Sequence, residues 1–209
     1  MYSLKYILIL SFILVFILYL TKNYIHSYPP HIQILQTSLD KFYYDLLLEK
    51  QPLIIQDRIK DVNTFVDILS YNYISKHEIK NKFQPDNLNN NLCINKFRYL
   101  LLYNNIDKFD EYIEKDENDN ELLIKKEIPI NIHISIPSYI RKDEYKIIKS
   151  YTIYNITDIT IDEYKDKNKI VVIKLYPYQT LILPYGWFYY CETPIHNIYL
   201  NDTLYSIFR

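Results

Sequence analysis

The chain of 209 residues uses glycine once, at Gly186, within Leu183-Pro184-Tyr185-Gly186-Trp187-Phe188-Tyr189-Tyr190. Its one tryptophan, Trp187, is the next residue. Only glycine enters backbone with φ > 0 at no steric cost, so a chain that keeps a single glycine marks where that freedom is needed. Pro184 fixes the entry to a turn, Gly186 reverses the chain, and Trp187 opens the next strand with a large apolar ring. The expected local structure is a strand–turn–strand corner of a β fold.

The surrounding sequence agrees. From Glu121 onward, runs rich in Ile, Val, Tyr and Thr are separated by polar turns, at residues 122–136, 145–155, 158–161, 170–176, 180–183, 187–192, 197–200 and 203–208. Short runs at this spacing predict a mainly β sandwich or barrel. Residues 53–55 and 96–103 read as earlier strands. Three segments carry helical spacing. The first is 39–50, with Ser38 as N-cap and Leu39, Phe42, Tyr43, Leu46 and Leu47 on one face. The second is 64–73, capped at Asn63 or Asp61, and the third is the acidic 106–115. The expectation is a barrel flanked by amino-terminal helices.

A different element precedes them. Residues 6–21 (YILILSFILVFILYLT) carry no charge and lie between Lys5 and Lys22. As a helix they cover roughly 24 Å of a hydrocarbon core about 30 Å thick. Snorkelling of Lys5 and Lys22, with Tyr6, Tyr19 and Tyr24 at the interfaces, closes the gap. A buried core helix is disfavoured because the segment is apolar all round. A cleaved signal peptide is disfavoured because no small-x-small site follows Leu20 and the chain has no alanine. The reading is a single-pass anchor, with the domain at the membrane on an unassigned side, since Lys5 with the α-amino group nearly balances Lys22. Residues 1–26 are the anchor and its flanks, 27–36 a linker holding Pro29-Pro30, and 37–209 the folded domain.

A net charge of −1 gives no electrostatic footprint for nucleic acid. The expected partners are a membrane, by way of the apolar segment, and an unidentified protein. Lysine far outnumbers arginine, and Ile, Asn and Tyr abound, as AT-rich codons dictate; a large DNA virus is one such source. That bias, with β-propensity, accounts for 24 tyrosines better than a stacking platform does. The acidic stretch 107–121 reads as a solvated face. Cys93 and Cys191 are too few for a disulfide framework and read as core residues of strands. Asn155-Ile156-Thr157 and Asn201-Asp202-Thr203 match glycosylation acceptors. Asp116, Asn118, Asn120 and Glu127 have calcium-loop spacing, but Glu121 replaces the required glycine and Pro129 blocks the exiting helix. No nucleophile triad, P-loop or dinucleotide fingerprint is present.

The stretch 175–190 (LYPYQTLILPYGWFYY) resembles the second motif of cupin barrels, in their Jumonji-related branch: a glycine, five residues, then Pro-x-Gly-x-x-His. Tyr178 stands at the first glycine, Pro184 and Gly186 match, Trp187 fits that branch, and Tyr189 stands at the histidine. Residues 48–55 (LEKQPLII) are similar to the helix and strand that open those domains. The resemblance implies a double-stranded β-helix, a jelly-roll barrel. In active members it implies iron held by His-x-Asp plus the distal histidine, with 2-oxoglutarate as co-substrate. Three ligands on one face are needed for that chemistry. Tyr189 cannot supply the imidazole, and His133-Ile134-Ser135 offers serine where a carboxylate is needed. The expected reading is a non-catalytic module with no cofactor, no catalytic residue and no metal ligand, His133 and His196 being the remaining candidates. An iron/2-oxoglutarate oxygenase with unorthodox ligands is the first alternative, and a carbohydrate- or lipid-binding barrel the second.

Overall fold

The structure is a computed structural model that describes residues 2–59, 79–82, 93–95, 98–104, 109–115, 121–136, 170–193 and 195–200. It opens with helix α1, Tyr2–Ile25. Within it, Lys5–Ile25 is long and apolar enough to cross a membrane by length and composition, and residues 5–20 are exposed.

Strands are the main element among the other described residues. One sheet has six, in the order β1 (Leu35–Thr37), β2 (Leu53–Ile55), β10 (Thr180–Pro184), β5 (Tyr99–Tyr103), β12 (His196–Leu200) and β3 (Ile79–Lys82). A second has four: β4 (Cys93–Ile94), β11 (Phe188–Cys191), β8 (Ile130–Ser135) and β9 (Val171–Leu175). A separate pair is β6 (Phe109–Lys115) with β7 (Glu121–Glu127). Among the described residues only β1·β2 is parallel. Four of the antiparallel pairings nest: β8 with β9, β5 with β10, β4 with β11, β3 with β12. Taken in that order, they alternate between the two large sheets.

The alternation of side chains builds two cores. Between the large sheets, Ile54, Leu100, Leu102, Leu181 and Leu183 meet Ile130, Ile132, Ile134, Ile173, Leu175, Trp187 and Tyr189. On the other face of the six-stranded sheet, Leu53, Ile55, Tyr99, Leu101, Tyr103, Ile182, Ile198 and Leu200 pack under Leu47 and Ile59. Every residue of β5 and β10 is buried, which is why these two strands read as unbroken apolar runs. Full burial of such a side chain contributes about 1.5–3 kcal/mol. Asn104 ties the β9–β10 turn to the end of β5: its Nδ2 donates to the Leu175 carbonyl (2.8 Å) and its own carbonyl accepts from Tyr178 N–H. Tyr178 itself has φ 64°.

Three local expectations change. Residues 39–50 form two short 3-10 helices, Leu39–Lys41 and Tyr44–Glu49, with Phe42 and Tyr43 extended between them. Adjacent aromatics lose rotamer freedom in a helix, and the break lets Leu39, Phe42, Tyr44 and Leu46 all pack against the second core. Ser38 does not cap; Asp57 Oδ2 accepts the Leu39 N–H instead, and a Ser38 hydrogen bond lowers the pKa of exposed Asp40. Residues 109–115 are a strand, not part of a helix. The register sets Asp110 opposite Lys126, Glu111 opposite Lys125, Lys115 opposite Glu121 and Ile113 opposite Leu123, and such cross-strand pairs favour a ladder. The long run 122–136 divides at Ile128-Pro129 into β7 and β8, because proline has no N–H for a ladder. The expected elements at 64–73, 145–155, 158–161 and 203–208, the loop 116–120 and both glycosylation acceptors lie outside the described residues. Within residues 27–36, Ile32 and Ile34 pack on the first core, and Leu35 and Gln36 belong to β1.

Candidate functional site

The Pro184–Trp187 corner is where the amino-terminal helix meets the domain. Gly186 has φ 81°, the left-handed conformation expected of it. The corner is held by Asn95, just after β4. Asn95 N–H donates to the Trp187 carbonyl (2.8 Å), Gly186 N–H donates to the Asn95 carbonyl (2.7 Å), and Asn95 Nδ2 reaches the Leu183 and Pro184 carbonyls (2.9 Å each). The ring of Trp187 is wholly buried, and its Nε1–H donates to the Lys50 carbonyl at 3.0 Å.

Lys50 carries the contact onward. It ends the second 3-10 helix in left-handed backbone, φ 54°. Its ammonium donates to the Tyr24 carbonyl, to the Ser27 carbonyl (3.2 Å) and to Ser27 Oγ (2.9 Å), and stands 3.8 Å from the centre of the Tyr24 ring. A cation at the carboxy-terminal end of a helix meets the orphan carbonyls and the negative end of the helix dipole. Partial burial pushes the Lys50 pKa down from 10.5 to about 8. Around it, Ile25 is buried, the His26 ring sits edge-on to Tyr185 (5.8 Å between centroids), and Tyr28 lies over Gly186. Gln51 adds two bonds, accepting from Gln33 N–H and donating to the His31 carbonyl. Residues 24–33 are thus stitched to 50–51 and 185–186.

Sequence reasoning found Pro184, Gly186 and Trp187 and missed Asn95, Asn104, Lys50 and the docked stem. Asparagine and lysine are too common in this chain for one of either to stand out.

Tyr189 faces the first core and is 5% exposed. The register puts it opposite Cys93 and Ile134. Tyr190 stands opposite His133, so His133 and Tyr189 lie on opposite faces of the four-stranded sheet. His133 is buried on the outer face, its Nε2 2.7 Å from Glu192 Oε1 and its ring 5.6 Å from that of Tyr190. Nε2–H donating to that carboxylate leaves Nδ1 as a buried acceptor without a hydrogen bond. His196 opens β12 opposite Tyr103 and Lys82, in the other large sheet. Lys5 and Lys22 are exposed towards the two ends of α1. Position 189 faces inward with a phenol, and His133 faces outward, hydrogen-bonded to the Glu192 carboxylate. Among the described residues no three His, Cys, Asp or Glu side chains gather.

No family model, curated protein or solved structure matches the chain.

Proposed function

We propose that the chain is a single-pass, membrane-anchored, cupin-like jelly-roll module that acts without catalysis, as a structural or interaction unit holding a protein partner at a membrane. The junction carries this reading. Lys50, Tyr185 and Gly186 grip residues 24–28, so the apolar helix ends inside the domain's own packing. A signal peptide cleaved near residues 22–30 would strip Tyr24, Ile25 and Tyr28 from that packing. It would also leave the half-buried Lys50 ammonium short of its acceptors, and an unpaired buried polar group costs about 1–3 kcal/mol. An anchor keeps them. Full-length protein is accordingly expected to stay with membranes through an alkaline carbonate wash. Recovery of a soluble chain beginning near residues 22–30 would overturn the anchor.

The nested strand pairs support the jelly-roll part, since a hairpin wound alternately through two sheets is the path of a double-stranded β-helix. Left-handed backbone at Tyr178 and Gly186, the two places where the resembled motif carries glycine, supports that alignment. Tyr189 among Ile132, Ile134 and Ile173 supports the absence of an iron centre. Purified full-length protein in detergent is expected to bind no stoichiometric iron and to leave 2-oxoglutarate unconsumed, and Tyr189→His alone to restore neither, since His133 faces away. One equivalent of iron in the wild type would reject the non-catalytic reading.

A further inference from the structure

The two cysteines meet on the inner face of the four-stranded sheet. Cys93 stands directly opposite Tyr189 across β4·β11, and Cys191 is two residues beyond Tyr189 on the same strand. Alternation turns Tyr189 and Cys191 to one face, so Cys191 is the diagonal neighbour of Cys93. Both pack against the first core, both are only partly buried, and neither is in a disulfide. Burial raises the Cys93 thiol to about 12 and pushes Cys191 higher still, with Cys93 adding to the shift.

Diagonal residues of an antiparallel pair lie about 7–8 Å apart. A disulfide needs Cα atoms within roughly 4.4–6.8 Å and Cβ atoms within about 3.5–4.5 Å, so closing one here would move β4. Two thiolates on either side of a metal, at about 2.3 Å each, instead span roughly 4.6 Å between sulfurs. Soft thiolates select soft cations, and with two ligands the fitting ion is one content with low coordination. We propose that Cys93 and Cys191 form a two-thiolate site for Cu(I), bridging β4 and β11 at the inner face.

The step is proton exchange without electron transfer. One Cu(I) enters, two S–H bonds break, two Cu–S bonds form, and two protons leave to solvent, giving a bis-thiolate complex of net charge −1. Each Cu–S bond displaces one thiol proton, so affinity should rise with pH. The site stands apart from the anchor reading and from the iron chemistry of the resembled family, and its test reads neither.

Full-length protein in detergent, kept anaerobic, would be titrated against the Cu(I)–bicinchoninate complex. The expected result is withdrawal of one copper per chain, a sulfur-to-copper charge-transfer band in the near ultraviolet, and release of two protons per copper. Cys93→Ser and Cys191→Ser, each checked by thermal melting, should abolish the uptake. Proton release and the pH slope need only the wild type, so a variant that fails to fold does not remove the test. Uptake that persists in the double serine variant, no uptake by the wild type, or rapid closure of an intramolecular disulfide by oxidised glutathione would each overturn the proposal.

Discussion

Trp187→Ala should lower the melting temperature by about 6–20 °C. The ring is fully enclosed in the core between the sheets, and truncation of a buried tryptophan costs roughly 3–5 kcal/mol through lost contacts and the cavity left behind. For a chain of this size each kcal/mol moves the midpoint by about 2–4 °C. The change also strands the Lys50 carbonyl, whose partner is Trp187 Nε1. Trp187→Phe separates the two effects. It keeps most of the apolar volume and loses the donor, so a shift much smaller than that of the alanine variant assigns the larger share to packing. Equal melting temperatures for wild type and Trp187→Ala would mean that the corner is not part of the core.

Gly186→Val should be nearly as damaging, by a different route. A Cβ at this position meets the Tyr28 ring, whose Cζ would stand 2.7 Å away, and φ 81° strains any residue other than glycine. The backbone strain alone is about 1–3 kcal/mol. The clash adds to it unless the ring swings out, and a ring that swings out releases the stem. Two readouts follow: a lowered melting temperature, and faster proteolysis within residues 26–36. Combining Gly186→Val with Tyr28→Ala should cost less than the sum of the two changes, by the 0.5–3 kcal/mol or so typical of residues in contact. Strict additivity would show that Tyr28 does not rest on the glycine.

The sequence made the corner legible because Gly186 and Trp187 are each unique in the chain, and scarcity turns a residue into a signal. The strands β9, β10, β11 and β12 were legible for a related reason. Their apolar runs are short and bounded by turns, which matches half-buried and fully buried strands. Segment 109–115 was not. FDEYIEK satisfies helical and alternating patterns about equally, and only the partner strand ELLIKKE, with its charges in matching register, decides between them. Segment 39–50 failed because the periodicity was right about which residues face the core but silent about the extended break at Phe42 and Tyr43. The junction failed for a deeper reason. Its partners are Tyr24 with Lys50 and Tyr28 with Gly186, and no local pattern announces that the two ends of a chain will touch. Tyr189 lay between these cases: two-residue alternation from Trp187 was enough to place it on the inner face.

The order in which the parts of that junction come into existence matters for biogenesis. Residues 24–28 leave the ribosome well before Tyr185 and Gly186, which they rest on. At about 5–20 residues per second the interval is on the order of ten seconds. Throughout it, the apolar helix has no seat on the domain. Only once β10 and β11 have closed the corner does the stem acquire that seat. On the proposed anchor reading, insertion and docking would therefore be separated in time by the layout of the chain alone.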